Sequence, residues 1–309
     1  MKTKMPLFDV VIPAHNASPS IRAAVKSALD QGPSLAQVIV VADRCDDDTA
    51  QKAQSAGAHQ VHSATFGNAG AARNLAAAKG SATWIAFLDA DDRFLPGWLK
   101  KASEVISRAD DDVAMVFGGA VFCRGDLRTL SVPMPEAGDV YEALLTQSFF
   151  TTSATLIRRD IFEKAEGFNT SVCGAVLEDY ELFTRVLAKY SANFVKGHHV
   201  EYVMDNESAT RSPRHFKKLR ERGLEILRAA LERRTLSRPA IQRAYAQMHR
   251  MSAERFLASS LVDEARHDLQ LALKQTPGDL RLWSMAALSI LKPSERNTLL
   301  HWRRRWRRR

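Results

Sequence analysis

The 309-residue chain is 45% hydrophobic and 26% charged, ordinary values that exclude a largely disordered chain and allow one large α/β domain plus a smaller appendage. Its formal net charge of +9 gathers late in the sequence: residues 214–250 hold eleven Lys or Arg against three Glu, and the last nine residues hold six Arg and no acid. Three scattered cysteines, Cys45, Cys123 and Cys173, offer no CxxC pair for a zinc ribbon and argue against a disulfide framework, so a reducing compartment is the simpler setting.

Phe8-Asp9-Val10-Val11-Ile12-Pro13 reads as a short buried strand closed by proline. Residues 18–31 follow with Ile21, Val25, Ala28 and Leu29 on one helical face. A second buried strand spans 37–42, a short helix 47–57 stops at Gly57, and 60–62 is a third strand. Gly67-Asn68-Ala69-Gly70 predicts a turn that opens an alanine-rich helix over 71–79, and 83–88 is a fourth strand that delivers Asp89. Strand and helix alternate throughout, the pattern of a mostly parallel sheet covered on both faces. Beyond it the spacing predicts a helix at 96–109, a long strand or strand pair at 113–123, a strand at 156–159, a short helix at 160–165 and a helix at 178–190. Two short strands at 193–195 and 200–203 close the α/β region, and 124–152 shows no regular element. After Ser212-Pro213 the chain turns helical and basic, with helices at 214–234, 239–261, 263–275 and 280–291. The last two, split by Pro277, resemble one tetratricopeptide-type hairpin, which must pack on a neighbour to bury its face.

Asp89-Ala90-Asp91-Asp92 directly after a buried strand is the strongest chemical feature. Ligands of open α/β sheets sit at the carboxyl ends of strands. Three crowded carboxylates repel one another unless a cation neutralises them, and hard oxygen ligands suit Mg²⁺ or Mn²⁺. An acidic loop capping the next helix fits the same residues. Asp43 also lies at a strand end, where an acid can meet a base N–H or a ribose hydroxyl. Asp46, Asp47 and Asp48 read as the start of the following helix. Arg73, on a helix opened by small residues, can pair with a phosphate. Glu178-Asp179 open a helix after Gly167-Phe168-Asn169 and the stretch Cys173-Gly174-Ala175; they read as a cap or as a general base for an acceptor hydroxyl. His198-His199 read as a surface feature, and His59, His62 and His249 show no convergent spacing.

Taken in order over residues 7–211, these segments resemble the family-2 glycosyltransferases of the GT-A fold. The resemblance rests on Val10-Val11-Ile12-Pro13-Ala14-His15-Asn16, the strand end at Asp43, Gly70-Ala71-Ala72-Arg73-Asn74, Leu88-Asp89-Ala90-Asp91-Asp92, and Glu166-Gly167-Phe168-Asn169 followed by Glu178-Asp179. It implies a GT-A type Rossmann-like mixed sheet with helices on both faces, in a catalytic domain of residues 1–212. A helical region would follow at 213–300, with a basic Trp/Arg tail at 301–309. It implies a nucleotide-sugar donor held by Pro13, Ala14, His15, Asn16, Asp43, Arg73, Asp89, Ala90 and Asp91. Asp91 and Asp92 would manage a divalent metal, Mg²⁺ or Mn²⁺. Asp179 would be the catalytic base, with Glu178 as a supporting acid, in a single inverting displacement. A UDP-sugar is the family's habitual donor. Two departures stand out. Ala42-Asp43 replaces the usual acid pair, and Asp43-Arg44-Cys45 replaces Asp-Gly-Ser, which unsettles the nucleotide more than the fold. A catalytically impaired nucleotide- or glycan-binding member of the same fold is the competing expectation, and a scaffold built on the helical region is a third.

The tail, with Trp302, Trp306 and six Arg, predicts contact with an anionic membrane surface. A disordered solubilising tail fits the same composition. No nucleic-acid-binding module accompanies the tail, so nucleic acid is not expected as a partner. The acceptor is expected to be a glycan or a lipid-linked molecule of surface polysaccharide or lipopolysaccharide synthesis. No apolar run reaches the roughly 20 residues of a spanning helix, and Lys2 leads into a strand without a signal-peptide core. These features predict a cytoplasmic protein, peripheral to the inner membrane face.

Overall fold

A strand flanked by neighbours on both edges and helices on both faces must be apolar throughout. Strand β1 (Phe8–Ala14) meets that demand, with every residue except Pro13 buried. The computed structural model describes residues 7–32, 34, 36–131, 139–147, 150–171, 177–204 and 215–291. Within them β1 pairs in parallel with β2 (Ala36–Asp43) and β4 (Trp84–Phe87), and β2 pairs in parallel with β3 (Gln60–Ala64). The sheet continues through β8 (Thr155–Arg158), β6 (Val113–Arg124), β9 (Ser191–Val203) and the two-residue β5 (Arg93–Phe94), in the order β3-β2-β1-β4-β8-β6-β9-β5. A ninth strand, β7 (Leu127–Leu130), pairs with β6 as an antiparallel hairpin. The pairs β4·β8 and β6·β8 are antiparallel and β6·β9 is parallel, so the sheet is mixed.

Helices cover both faces. On one side Val10 and Ile12 share a core with Ile21 and Val25 of α1 (Ile21–Leu29) and with Trp98 and Leu99 of α4 (Trp98–Ile106). On the other, α3 (Ala69–Ala78) lies along β1 and β2, and Phe87 packs edge-on against Phe168 with ring centroids 5.2 Å apart. Between β2 and β3 runs α2 (Thr49–Ser55); later come α5 (Val140–Thr146), α6 (Arg159–Lys164) and α7 (Glu178–Leu187). Each buried Val, Ile or Phe contributes roughly 1.5–3 kcal/mol, so this two-sided core dominates the folding energy of the sheet.

The chain divides into two compact units, residues 1–144 with 148–205, and residues 145–147 with 206–309. The second contains four helices among its described residues: α8 (Phe216–Arg233), α9 (Arg238–Ala258), α10 (Val262–Gln275) and α11 (Leu280–Ile290). Its interior holds one polar knot. Asp268, fully buried, accepts from His249 Nδ1 at 2.8 Å and lies 3.5 Å from Arg220. His249, featureless by sequence spacing, thus helps to join α9 to α10. No helix among the described residues is long and apolar enough to cross a membrane.

Three local expectations are corrected. The two short strands at 193–195 and 200–203 are one thirteen-residue strand, β9, whose register slips where Gly118 and Gly119 of β6 pass Val195 and His198. His199 is not a surface residue: it is 2% exposed and stacks on Trp98 at 4.7 Å, and burial holds its imidazole below its ordinary pKa. The region 124–152 contains β7 and α5.

Candidate active site

The parallel registers align the carboxyl ends of the central strands. Ala14 lies opposite Ala42 and Val11 opposite Phe87, so His15-Asn16, Asp43-Arg44 and Asp89-Ala90-Asp91 emerge along one edge. In the order β3-β2-β1-β4 the chain winds outward from β1 on one side and then crosses to the other. The end of β1 is therefore a topological switch point, where open α/β sheets leave a ligand crevice.

Backbone strain gathers at the same edge. Among the described residues, five non-glycine positions have positive φ: Asn16, Arg44, Glu166, Leu177 and Ser260. Asn16 (φ 46) and Arg44 (φ 53) end β1 and β2, and Leu177 (φ 68) immediately precedes Glu178. Each such residue costs about 1–3 kcal/mol and persists only where its surroundings over-determine it. The surroundings here are a mesh of hydrogen bonds. The His15 Nδ1–H donates to the Asp43 carbonyl at 2.8 Å, and the Asp46 N–H donates to Asn16 Oδ1 at 3.0 Å. Asp47 accepts from the Ser18 N–H and from the N–H of Thr49, the first residue of α2, both at 3.0 Å. Asp46, Asp47 and Asp48 therefore sit at the start of that helix, with Asp47 also tying it to the loop after β1.

Asp43 is 4% exposed. Its two carboxylate oxygens accept from the N–H groups of Gly67 and Asn68 at 3.0 and 2.9 Å. Asn68 in turn caps α3 by accepting from the Ala71 N–H at 3.0 Å, a contact worth about 1 kcal/mol. The acid expected to meet a nucleotide base thus also pins the α3 turn to the end of β2.

Arg73 sits differently from a residue reaching for a phosphate. Its guanidinium is buried, donating to Asp89 at 2.6 Å and to Glu178 at 2.8 Å, with the Phe168 ring 5.3 Å away. Burial alone would lower its pKa; the charges of Asp89 and then Glu178 outweigh burial and hold it above its ordinary value. Arg73 clasps α3, the end of β4 and the start of α7, joining residues 105 positions apart in sequence. Glu178 pays for this contact with desolvation, which raises its carboxyl above the usual range despite the opposing pull of Arg73.

The four residues of the acidic cluster separate. Ala90 is buried, Asp89 faces Arg73, and Asp91 is exposed. Asp92 is 1% exposed; it accepts from the Ser153 hydroxyl at 2.5 Å and from the Val203 N–H at 2.8 Å. Burial, then the charges of Asp89 and Asp91, push its carboxyl well above the usual range. As a ligand Asp92 fits a metal poorly, because each oxygen is taken up inside the protein. Asp91, exposed just past the strand end, offers the hard oxygen donor a metal would take. Among the described residues no group of three His, Cys, Asp or Glu could hold a metal unaided, so a cation at Asp91 would complete its shell with ligand or water oxygens.

Asp179, in the first turn of α7, is half-buried and accepts from Thr152 Oγ1 at 2.6 Å. Thr152 and Ser153 were not singled out by sequence. They form the short 3₁₀ turn Thr152–Ala154 ahead of β8, where Ser153 Oγ also accepts from the Asp89 N–H at 3.1 Å. The only sequence signal was the hydroxyl run Thr151-Thr152-Ser153 before a strand. Asn74 secures the approach to α7, accepting from the Phe168 N–H and donating to the Phe168 carbonyl, both at 2.9 Å. Gly167 (φ 63) is required beside it, because a Cβ there would lie 2.5 Å from Asn74 Oδ1. The stretch Cys173-Gly174-Ala175 and the tail lie outside the described residues.

A sheet of this order, with acids at the ends of β4 and α7, invites comparison with known chains. The family model described as glycosyl transferase family 2 matches residues 9–165. The chain belongs to glycosyl transferase family 2. Among its relatives, the succinoglycan biosynthesis protein ExoU of Rhizobium meliloti is 42% identical over 95 residues, 29% of this chain and 28% of that protein. The chain spans less than two thirds of the length of the curated relatives it matches. The structure of S. aureus TarS 1-349 in complex with UDP-GlcNAc superposes with a TM-score of 0.66 at 15% identity, covering 91% of this chain and 84% of that one. The mannosyltransferase PcManGT of Pyrobaculum calidifontis, in complex with GDP-Man and Mn²⁺, gives 0.56 at 18% identity, covering 96% and 83%. At these identities the two structures speak for the fold, a GT-A-like mixed sheet.

Proposed function

We propose that this family member is an inverting glycosyltransferase. It moves a sugar from a nucleotide-sugar donor, a UDP-sugar by family habit, to a glycan or lipid-linked acceptor of surface polysaccharide synthesis. The observation that carries the reading is the convergence of exposed Asp91 and half-buried Asp179 at the sheet edge where the strand order reverses. The nucleotide lies across the end of β1, along Pro13, Ala14, His15 and Asn16, between Asp43 on one side and Asp89 and Asp91 on the other.

In the transfer step the acceptor hydroxyl oxygen attacks the anomeric carbon. The new carbon–oxygen bond forms as the bond from that carbon to the diphosphate oxygen breaks. Asp179 takes the hydroxyl proton, and the nucleoside diphosphate leaves with the bonding pair. Thr152, donating to Asp179, holds the carboxylate in place. Glu178 acts through Arg73, fixing the start of α7 against β4. A divalent cation, Mg²⁺ or Mn²⁺, held at Asp91 would neutralise charge on the departing diphosphate. Asp92 supports that loop from beneath, through Ser153 and Val203.

The naming of ExoU for succinoglycan biosynthesis supports a polysaccharide setting. The composition of residues 301–309 supports peripheral association with the inner membrane face, each basic residue adding about 1 kcal/mol near an anionic surface. The test is Asp179→Asn, assayed for donor binding and for transfer across a panel of donors and acceptors. Binding kept and transfer abolished supports the assignment. Full transfer by the variant overturns the role of Asp179. Tight donor binding without transfer by the wild type favours the binding-only alternative motivated by Ala42.

A further inference from the structure

At the end of β2 the side chain free to meet a ligand is Arg44. Asp43, next to it, has both carboxylate oxygens engaged by the Gly67 and Asn68 N–H groups. Arg44 is exposed, and among the described residues no acid pairs with its guanidinium and no acceptor bonds to it. Its position is nevertheless defined. The backbone stands at φ 53, and the Arg44 N–H donates to the Ala64 carbonyl at 2.8 Å, extending the β2–β3 pairing past the strand. The side chain then lies over the α3 turn in a slot left open by Gly67. A Cβ on Gly67 would stand 2.6 Å from Arg44 Nη1 and 2.9 Å from its Cδ. A cation on a strained backbone position, seated over the α3 turn and without an internal partner, is open to a ligand, and strain of this kind gathers at ligand sites.

The ligand's chemistry follows from the layout of the edge. Adjacent strands lie about 4.8 Å apart, so the ends of β2 and β4, with β1 between them, are roughly 10 Å apart. That is the order of the span from the base of a nucleotide to its diphosphate. Asp91, past the end of β4, would hold a cation that neutralises the diphosphate, so the diphosphate belongs at that end. The base therefore falls at the end of β2. A guanidinium there can donate to the carbonyl that uracil carries at C4 and guanine at C6, as arginine does to the O6/N7 edge of guanine, and has nothing to offer the amine that cytosine and adenine carry at the same place.

We propose that Arg44 is the nucleotide-selecting residue of this chain: it donates to the C4 carbonyl of uracil or the C6 carbonyl of guanine, and so favours these bases over cytosine and adenine, which carry an amine there. The inference rests on the proposed donor site and deepens it. It also gives the departure from Asp-Gly-Ser a purpose, since a glycine at this position would leave the base edge unread.

The experiment is calorimetric titration of the full chain with UDP, GDP, CDP and ADP in Mg²⁺, repeated with Arg44→Gly and Arg44→Lys. Glycine accepts the backbone at φ 53, so Arg44→Gly keeps the fold. Lysine keeps the charge but loses the planar fork. The wild type is expected to bind UDP or GDP at least about tenfold more tightly than CDP and ADP, the discrimination one good pair of hydrogen bonds supplies. Arg44→Gly should erase that preference by weakening only UDP and GDP, and Arg44→Lys should resemble it. An unchanged ranking in Arg44→Gly overturns the proposal. So does equal weakening of all four nucleotides with rescue by Arg44→Lys, which would place the guanidinium on the phosphates. A wild type that binds none of the four overturns the donor-site reading itself, a separate result from failure at Arg44.

Discussion

Arg73 is the residue on which the geometry of the site depends most, and its removal has a calculable cost. In Arg73→Met the aliphatic stem stays packed near Phe168 while two carboxylates lose their cation. Breaking a buried pair by deleting one partner costs about 3–5 kcal/mol, because the remaining charge is stranded. The side chains of Arg73 and Glu178 are 5% and 13% exposed, but that of Asp89 is 26% exposed and partly screened by water. The loss should therefore fall near the lower end, about 3 kcal/mol. For a unit of this size that is a fall of about 6–12 °C in Tm. The pH dependence supplies a second check. Glu178 already has a raised pKa in the folded protein, and losing Arg73 raises it further. A carboxyl raised on folding contributes stability that is full below its unfolded pKa and lost as pH rises through its folded pKa. The deficit of Arg73→Met should thus be largest near pH 7.5 and shrink towards pH 5. Scanning calorimetry of wild type and variant at both values measures it, and adding Glu178→Gln should restore part of the loss. A deficit under about 1 kcal/mol, or one that grows towards acid, would refute the clasp.

Asp92→Ala should destabilise the protein by about 2–3 kcal/mol in urea unfolding by stranding the Ser153 hydroxyl and the Val203 N–H, whereas Asp92→Asn should cost much less. Asp179→Asn should lower kcat by a factor of about 10²–10⁴, the usual worth of a general base, with donor affinity measured by titration left within a few-fold. Gly167→Ala should lower Tm measurably, since it places a Cβ 2.5 Å from Asn74 Oδ1 at a positive φ. Removing residues 301–309 should abolish salt-sensitive sedimentation with anionic liposomes and leave transfer to a soluble acceptor intact.

The central sheet was legible because its strands are short apolar runs, each ending in a polar or acidic segment that the structure places at one edge. The runs at Val10-Val11-Ile12 and at residues 37–42 and 83–88 became β1, β2 and β4 within a residue or two. The helices of the second unit followed their apolar spacing to within three residues. What escaped the sequence depends on partners far along the chain. β9 reads as two strands because Lys196-Gly197-His198 interrupts its apolar pattern, yet its pairing with β6 carries it through. β5 is two residues long and exists through β9. The candidate site divides in the same way. Asp43, Asp89, Asp91 and Asp179 were legible as acids at element ends. That Arg73 would face Asp89 and Glu178 was not, because two acids on different elements compete for one cation and only packing decides. Ser153 and Thr152 were missed because a hydroxyl run before a strand has no distinctive spacing.

The proposed transfer requires that the end of β1 hold a nucleoside diphosphate with help from a cation at Asp91. Calorimetric titration of UDP and GDP in Mn²⁺ and in chelator, on wild type and on Asp91→Asn, tests it most directly. The wild type is expected to bind at least one of them, more tightly with Mn²⁺, and Asp91→Asn to lose the metal-dependent gain while keeping the fold. Binding that is equal with and without metal, and equal in Asp91→Asn, or no binding of either nucleotide, would contradict it.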